Sequence, residues 1–501
     1  MKKNILNPFL PLDKYIPDGE PHVFGNRVYL FGSHDIEGGE MYCQAGNYLG
    51  FSAPIDDLSD WRNEGVIYDV RQHPNGTGHQ LHAPDVVCGN DGKYYLYYSL
   101  DKFDMGIHVA VCDTPAGKYK YYGQVRNADN TPLKRFVPYD PAVINDNGTI
   151  RLYYGWSLSM VAAQANRGVV TKEVPQNIKS LIVHGEMRMF NRTKDEVESE
   201  DGGSVMGAVT CTLADDMLTV VEQPKRIVPG QFMSEGTGYE NHAFYEASSI
   251  RKIDDTYYFI YSSMQSNELC YATSKFPDKD FKYRGVIISN GDIGYKGRKP
   301  EDRLNMTANN HGSIEKINDK WYIFYHRQTH NSTYSRQACA EQIEILSDGS
   351  IPQVEMTSCG LNGGPLIPQG EFSAAVCCNL SNGKMPHITN RILNADIPYI
   401  THSGDERFIT NIKIGSWASY KYFDFDGDYI FTLFARGAAG DFEISFGDEE
   451  TYQIHIDGSD IWKPYKIEIN AKGVKPIIIK YVGNSSADIL KFTLNKLHRK
   501  E

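Results

Sequence analysis

Apolar and polar residues alternate in short runs along most of the chain, and the runs pair up around tight-turn dipeptides. The stretch EPHVFGNRVYLFGS (20–33) runs out through Val23, turns at Gly25-Asn26 and returns through Val28, Leu30 and Phe31. Period-two alternation around such a dipeptide predicts a β-hairpin with a two-residue loop. Four further stretches repeat the pattern: APDVVCGNDGKYYLYYS (83–99), DPAVINDNGTIRLYYG (140–155), EASSIRKIDDTYYFIYSS (246–263) and HGSIEKINDKWYIFYHR (311–327). A second strand–turn–strand text follows each hairpin, at 52–68, 110–125, 210–228, 271–288 and 339–356. Two hairpins make four strands, and five such units in order predict an all-β chain with a five-bladed β-propeller. The wide gap after the third hairpin predicts an insertion over 160–206, with its tail RTKDEVESEDGG as a polar loop.

The repeat ends near residue 357, so the propeller is expected over 1–365 and an irregular linker packing along it over 366–395. Alternating strands resume in GSWASYKYFDFDGDYIFTLFARG (415–437), which predicts a β-sandwich over 396–501. Trp417, Tyr420 and Tyr422 could form a sugar platform there, but aromatic residues alternating in a strand serve core or interdomain packing more often.

Composition narrows the function classes. The 501 residues are 41% hydrophobic and 23% charged, an ordinary globular balance. A net charge of −12 without a basic run argues against a nucleic-acid partner. No segment is long and apolar enough to span a bilayer. The first residues, interrupted by Pro8 and Pro11, lack the apolar core of a signal peptide. Nine cysteines without a C-x-x-C pair read as reduced thiols, so a cytoplasmic location is expected.

In a propeller the first strand of each blade lines the axis, so equivalent strand starts meet at one mouth. In the register of the hairpins these are Glu20, Ala83, Asp140, Ala247 with Glu246 before it, and His311. Any one acid in a turn is ordinarily a solvated cap; three in one register repel one another unless a cation or a useful pKa shift compensates. Glycoside hydrolysis needs such a group, one carboxyl to protonate the leaving oxygen and another to activate water. A divalent cation held with His311 is the rival reading. Asp18-Gly19 serves adequately as a turn, which leaves Glu20 as the expected base and Asp18 as the alternative. His73, His79 and His82, in HPNGTGHQLH, read as loop histidines beside the cleft.

Over about residues 7–360 these motifs resemble family-43 glycoside hydrolases, inverting five-bladed propellers acting mainly on arabinofuranosides and xylosides. DPAV at 140 matches the motif whose Asp tunes the acid's pKa. EASSIRK at 246 resembles the general-acid motif, with Ala247-Ser248 where the family has Gly-Pro. HAPDVV at 82 resembles a Trp-Ala-Pro-Asp motif with His82 in the Trp position. NNHGSI at 309 carries the axial histidine, and Arg336 in YSRQACAE matches an arginine beside the pocket. The family's base is an Asp directly before Pro, a position held here by Glu20.

The resemblance implies Glu246 as general acid, Glu20 as base and Asp140 as pKa modulator, with His82, Asp85, Trp156 and Arg336 contacting substrate. It implies no required cofactor, with an accessory calcium ion near His311. The expected substrate is an oligosaccharide losing a terminal pentose, α-L-arabinofuranose first. A β-xylosidase, a galactose- or galactofuranose-directed hydrolase and a non-catalytic sugar-binding propeller are the alternatives. The C-terminal unit resembles family-6-like carbohydrate-binding sandwiches.

Overall fold

Tyrosine-rich strands that are apolar on both faces need a neighbour on each face. The computed structural model meets that need by arranging five small antiparallel sheets around one axis. It describes residues 4–159, 183–184, 186–188, 191–388, 394–447 and 451–497. The innermost strands, Glu20–Phe24, Leu81–Cys88, Ala142–Asp146, Phe244–Ile253 and Ser313–Ile317, touch one another in a closed ring. A separate apolar core fills each of the five junctions between blades. At one of them Tyr97 and Val109 of blade two meet Leu152 and Tyr154 of blade three. At the closing junction Phe51 of blade one shares a core with Phe324 of blade five.

The predicted two-residue turns form where the sequence places them. Gly25, Asn147, Asp254 and Asn318 open them with φ of +62°, +52°, +51° and +55°, the left-handed backbone that Gly, Asn and Asp tolerate best.

Blade five differs from expectation. It has three strands among the described residues, not four, because residues 345–356 turn away to blade four, where the Val354 amide donates to the Ile287 carbonyl. Asn7 covers the edge thus left open. Its side-chain amide donates to the Ala340 carbonyl at 2.9 Å and its oxygen accepts from the Ala340 amide at 3.1 Å.

Most of the first half of the predicted insertion, 160–182, lies outside the described residues. Its tail is not a plain loop. Thr193 and Glu196 form a capping box on a short helix, Lys194–Glu198, which buries Val197.

The C-terminal region is a nine-stranded sheet around one core, built on the long strands Trp417–Gly437 and Ser459–Tyr481. Within the segment expected as a linker, Gly370–Ser373 and Asn379–Ser381 pair with strands of this sheet, and residues 389–393 lie outside the described residues. Tyr420 is fully buried and offers no sugar platform, and the Tyr422 hydroxyl donates to Glu355. The two parts are stitched together by Arg327, which donates to the Cys377 and Cys378 carbonyls, and by Arg407 and His402, which meet Glu37. All nine cysteines are unpaired. Among the described residues no helix is long and apolar enough to cross a membrane.

Candidate active site

Residues two apart on a strand face the same side, so the ring of inner strands stacks its axial side chains in levels. A parallel bridge between Gly19 and Gly312 fixes the height of blade one against blade five. It sets Asp18 level with His311, and Glu20 level with Ser313. The upper level therefore holds Asp18, Asp140, Glu246-Ala247 and His311. The next holds Glu20, Asp85, Ser249 and Ser313, where Ser249 Oγ bonds Ser313 Oγ at 2.6 Å and Glu20 Oε2 at 3.3 Å. Below it Arg251 spans Glu20 and Glu315 at 3.1 and 3.2 Å, and His22 bonds Asp85 at 2.6 Å.

Three upper-level residues adopt left-handed backbone: Asp18 at φ +57°, Asp140 at +46° and Ala247 at +69°. Such conformations cost non-glycine residues about 1–2 kcal/mol each and collect at functional sites. The Ala247 amide uses its turn to donate to Asp140 Oδ2 at 2.9 Å.

Asp18 is held as an anion. Its Oδ1 accepts from Arg336 at 2.9 Å, and Asp35 grips the same guanidinium through two bonds of 2.8 and 3.0 Å. The Tyr42 ring lies 4.6 Å from that guanidinium. Burial opposes ionisation, but the Arg336 guanidinium outweighs it and keeps the Asp18 carboxyl well below the usual range. His326 Nε2 donates to the Asn309 carbonyl at 2.9 Å, so its Nδ1 is the acceptor for the Asp18 amide at 3.2 Å.

Glu246 is the opposite case. Burial and the negative charge of Asp18 push it up to about 7, against Arg336 and hydrogen bonds with Trp156 and Asn309. Asp140 also rises, through burial, Glu246 and Asp18. Burial lowers His311 to about 4, leaving a neutral imidazole between Asp18 and Asp140, 4.0 and 3.9 Å away. His82 is lowered to about 4 by burial and bonds the Tyr139 hydroxyl at 2.5 Å.

The residues expected to act together thus separate. Asp18, Asp140, Glu246, Arg336, His311 and Trp156 share the mouth, with His82 beside Tyr139. Glu20 does not join them. It is buried one level down, bound to Arg251, and burial together with Asp85 raises its carboxyl. Asp85, expected beside the substrate, has its carboxylate engaged within the protein. Fully buried, it accepts from His22 and from the Val86 and Val143 amides, both at 2.7 Å. Arg336 is spent on carboxylates with a side chain 2% exposed, so it positions Asp18 and offers substrate little surface. Asp35, Tyr42, Asn309, Tyr139 and His326 enter the site without having been singled out. Asp35 ends the polar text FGSHD after a strand, and Asn309 precedes the axial histidine in NNHGSI, which were the available signals.

A protein-built calcium cage does not fit around His311. Calcium takes roughly six to eight oxygen ligands, whereas here Asp18 is held by Arg336 and Asp140 by an amide. Glu20, His22 and Asp85 also bring donor atoms together. Arg251 and two backbone amides already occupy their carboxylates.

Comparison with known proteins gives the family. The family model for glycosyl hydrolases family 43 matches residues 7–207 and 189–351. A xylosidase/arabinosidase of Thermoclostridium stercorarium is 44% identical over an alignment of 513 positions covering 99% of each chain. A xylosidase/arabinosidase of Bacteroides ovatus is 27% identical over 358 positions, covering 68% of this chain and 95% of its own. Among solved structures, a family-43 β-xylosidase/α-arabinofuranosidase from a compost metagenome, in complex with xylotriose, is 28% identical with a TM-score of 0.49, covering 69% of this chain and 97% of its own. With a mouth of opposed carboxyls on five blades and a family match spanning all of them, this chain belongs to glycosyl hydrolases family 43.

Proposed function

We propose that the chain is an inverting exo-glycosidase that releases a terminal pentose, α-L-arabinofuranose or β-xylose, from oligosaccharides. The observation that carries the mechanism is the divergence of two mouth carboxyls, Asp18 held ionised by Arg336 and Glu246 raised to about 7. Environments that push two titrating groups apart assign the base and the acid. Glu246 donates its proton to the leaving oxygen while Asp18 takes one from the attacking water, so the water arrives on the face opposite the leaving group. Asp18 thereby replaces Glu20 as base, since a base must be ionised and within reach of the sugar. Both relatives carry the name xylosidase/arabinosidase, which supports the pentose.

Proton NMR during early turnover of 4-nitrophenyl α-L-arabinofuranoside and β-D-xylopyranoside tests both halves of the proposal. The first-formed sugar should have the anomeric configuration opposite to its substrate, and the two rates rank the pentoses. Retained configuration overturns the mechanism, and failure to cleave either substrate overturns the pentose.

Asp140 acts on Glu246 through charge. Glu246 raises Asp140, and because repulsion between two carboxylates is reciprocal, Asp140→Asn should shift the alkaline limb of kcat/KM to lower pH. A pH profile with that limb unmoved would remove Asp140 from the role.

A further inference from the structure

Two strands out from the axis, blade four holds a second group of reactive side chains that the glycosidase chemistry does not use. Glu268 and Cys270 alternate on the strand Glu268–Ser274 and so project from one face. His242 reaches over them from the segment ahead of Phe244–Ile253. Its backbone is pinned by the Tyr261 hydroxyl, which donates to its carbonyl at 2.7 Å. Its imidazole stacks on Tyr283, with ring centroids 4.8 Å apart and planes 8° from parallel.

The donor atoms converge. His242 Nδ1 lies 2.6 Å from Glu268 Oε1, Cys270 Sγ lies 3.4 Å from that oxygen, and Cys270 Sγ lies 3.8 Å from His242 Nδ1. We propose that His242, Glu268 and Cys270 form a binding site for a divalent transition metal, with Zn2+ as the fitting ion.

Three arguments converge on that assignment. The first is ligand chemistry: one imidazole, one carboxylate and one thiol are the donors zinc takes, whereas calcium and magnesium prefer oxygen alone. The second is geometry. With bonds of about 2.0–2.3 Å, the edges of a four-coordinate zinc polyhedron run about 3.3–3.8 Å. Two of the three separations already match those edges. The third is held short by the proton between His242 and Glu268, and it opens when the metal takes that proton's place. The His242 side chain, 30% exposed, has room to move.

The third argument is the surroundings. Ser263 Oγ donates to Glu268 Oε1 at 2.5 Å and orients the carboxylate, the kind of outer support metal ligands carry. The exposed flank of His242 gives the ion an entry path, and water supplies the fourth ligand. On binding, the Cys270 thiol proton leaves to solvent, the imidazole proton of His242 moves from Nδ1 to Nε2 so that Nδ1 is free to ligate, and no redox change is required. The site would tie the approach to Phe244–Ile253, the strand that carries Glu246, to the third strand of its blade.

The test is a titration of the full-length, metal-free protein with Co2+ under a thiol-free reductant, read by absorption. A saturable one-to-one thiolate-to-cobalt band, bleached by one equivalent of Zn2+, is expected. The band should vanish in Cys270→Ser, weaken at least tenfold in affinity in His242→Gln, and persist in Cys211→Ser, whose thiol is buried elsewhere. Zn2+ should raise the thermal midpoint of wild type and not of His242→Gln, which keeps the test open if Cys270→Ser folds poorly. The proposal is overturned if Co2+ gives no thiolate band at micromolar concentration, or if the band and the thermal shift survive in His242→Gln.

Discussion

Asp18→Asn is expected to lower kcat by about 10³-fold, within the range that general-base catalysis contributes, while Glu20→Gln keeps kcat within about tenfold of wild type. The asparagine is nearly isosteric, and Arg336 retains both bonds to Asp35. The variant should therefore fold and bind substrate but fail to draw a proton from water. Azide, a nucleophile that needs no deprotonation, should restore part of the rate in Asp18→Asn alone. In Glu20→Gln the amide can still meet Ser249, and Arg251 keeps Glu315 and the Pro21 carbonyl. That change should register as a lowered thermal midpoint, because it alters a buried ion pair away from the sugar. Steady-state kinetics on one aryl pentoside compares the two directly. A collapse of kcat in Glu20→Gln equal to that in Asp18→Asn would return the base to Glu20.

Why the sequence points to Glu20 has a physical answer. The hairpins are legible because their turns require Gly, Asn or Asp and their strands repeat every two residues. Read by that same period alone, Asp18 and Glu20 fall on one face, so alternation cannot tell them apart, although the strand itself begins at Glu20 and Asp18 has left-handed backbone. Their heights along the axis differ by one level, fixed by long-range contacts: Gly19 bridges Gly312, Arg336 holds Asp18 and Arg251 holds Glu20. On the other blades Asp140, Ala247 and His311 meet at the mouth and Ser249 and Ser313 meet one level down, in the register that the hairpins predict. The meeting of Glu246 and Asp140 at one mouth was legible because each lies near the start of its blade's first hairpin. Arg336 was legible as a mouth residue but not as a partner of Asp18 and Asp35, since three separate segments have to meet to form that cluster. Blade five lost its fourth strand to a similar long-range effect, with Asn7 from the other end of the chain taking its place. The capping box at Thr193 and Glu196, by contrast, is a local signal, and reading RTKDEVESEDGG as loop passed over it.

Glu246→Ala should separate substrates by their leaving groups. An oligosaccharide leaves as an alkoxide unless it is protonated, so removing the acid should reduce its kcat by about 10³-fold or more. A nitrophenolate leaves without help, and the same variant should lose far less on 4-nitrophenyl glycosides. The pH profile carries an independent signature. In wild type the alkaline limb should fall near 7, where Glu246 loses its proton, and the acid limb should lie below the ordinary carboxylate range, because Arg336 holds Asp18 ionised. Activity on a protonation-dependent substrate is thus highest between those limits. In Glu246→Ala the alkaline limb should disappear on the aryl substrate, while the acid limb stays, because Asp18 still has to be ionised to activate water. Equal losses on both kinds of leaving group, with the alkaline limb intact, would mean that another group supplies the proton. Asp140 is the other mouth carboxyl that is raised, so Asp140→Asn in the Glu246→Ala background would show whether it had taken over the role.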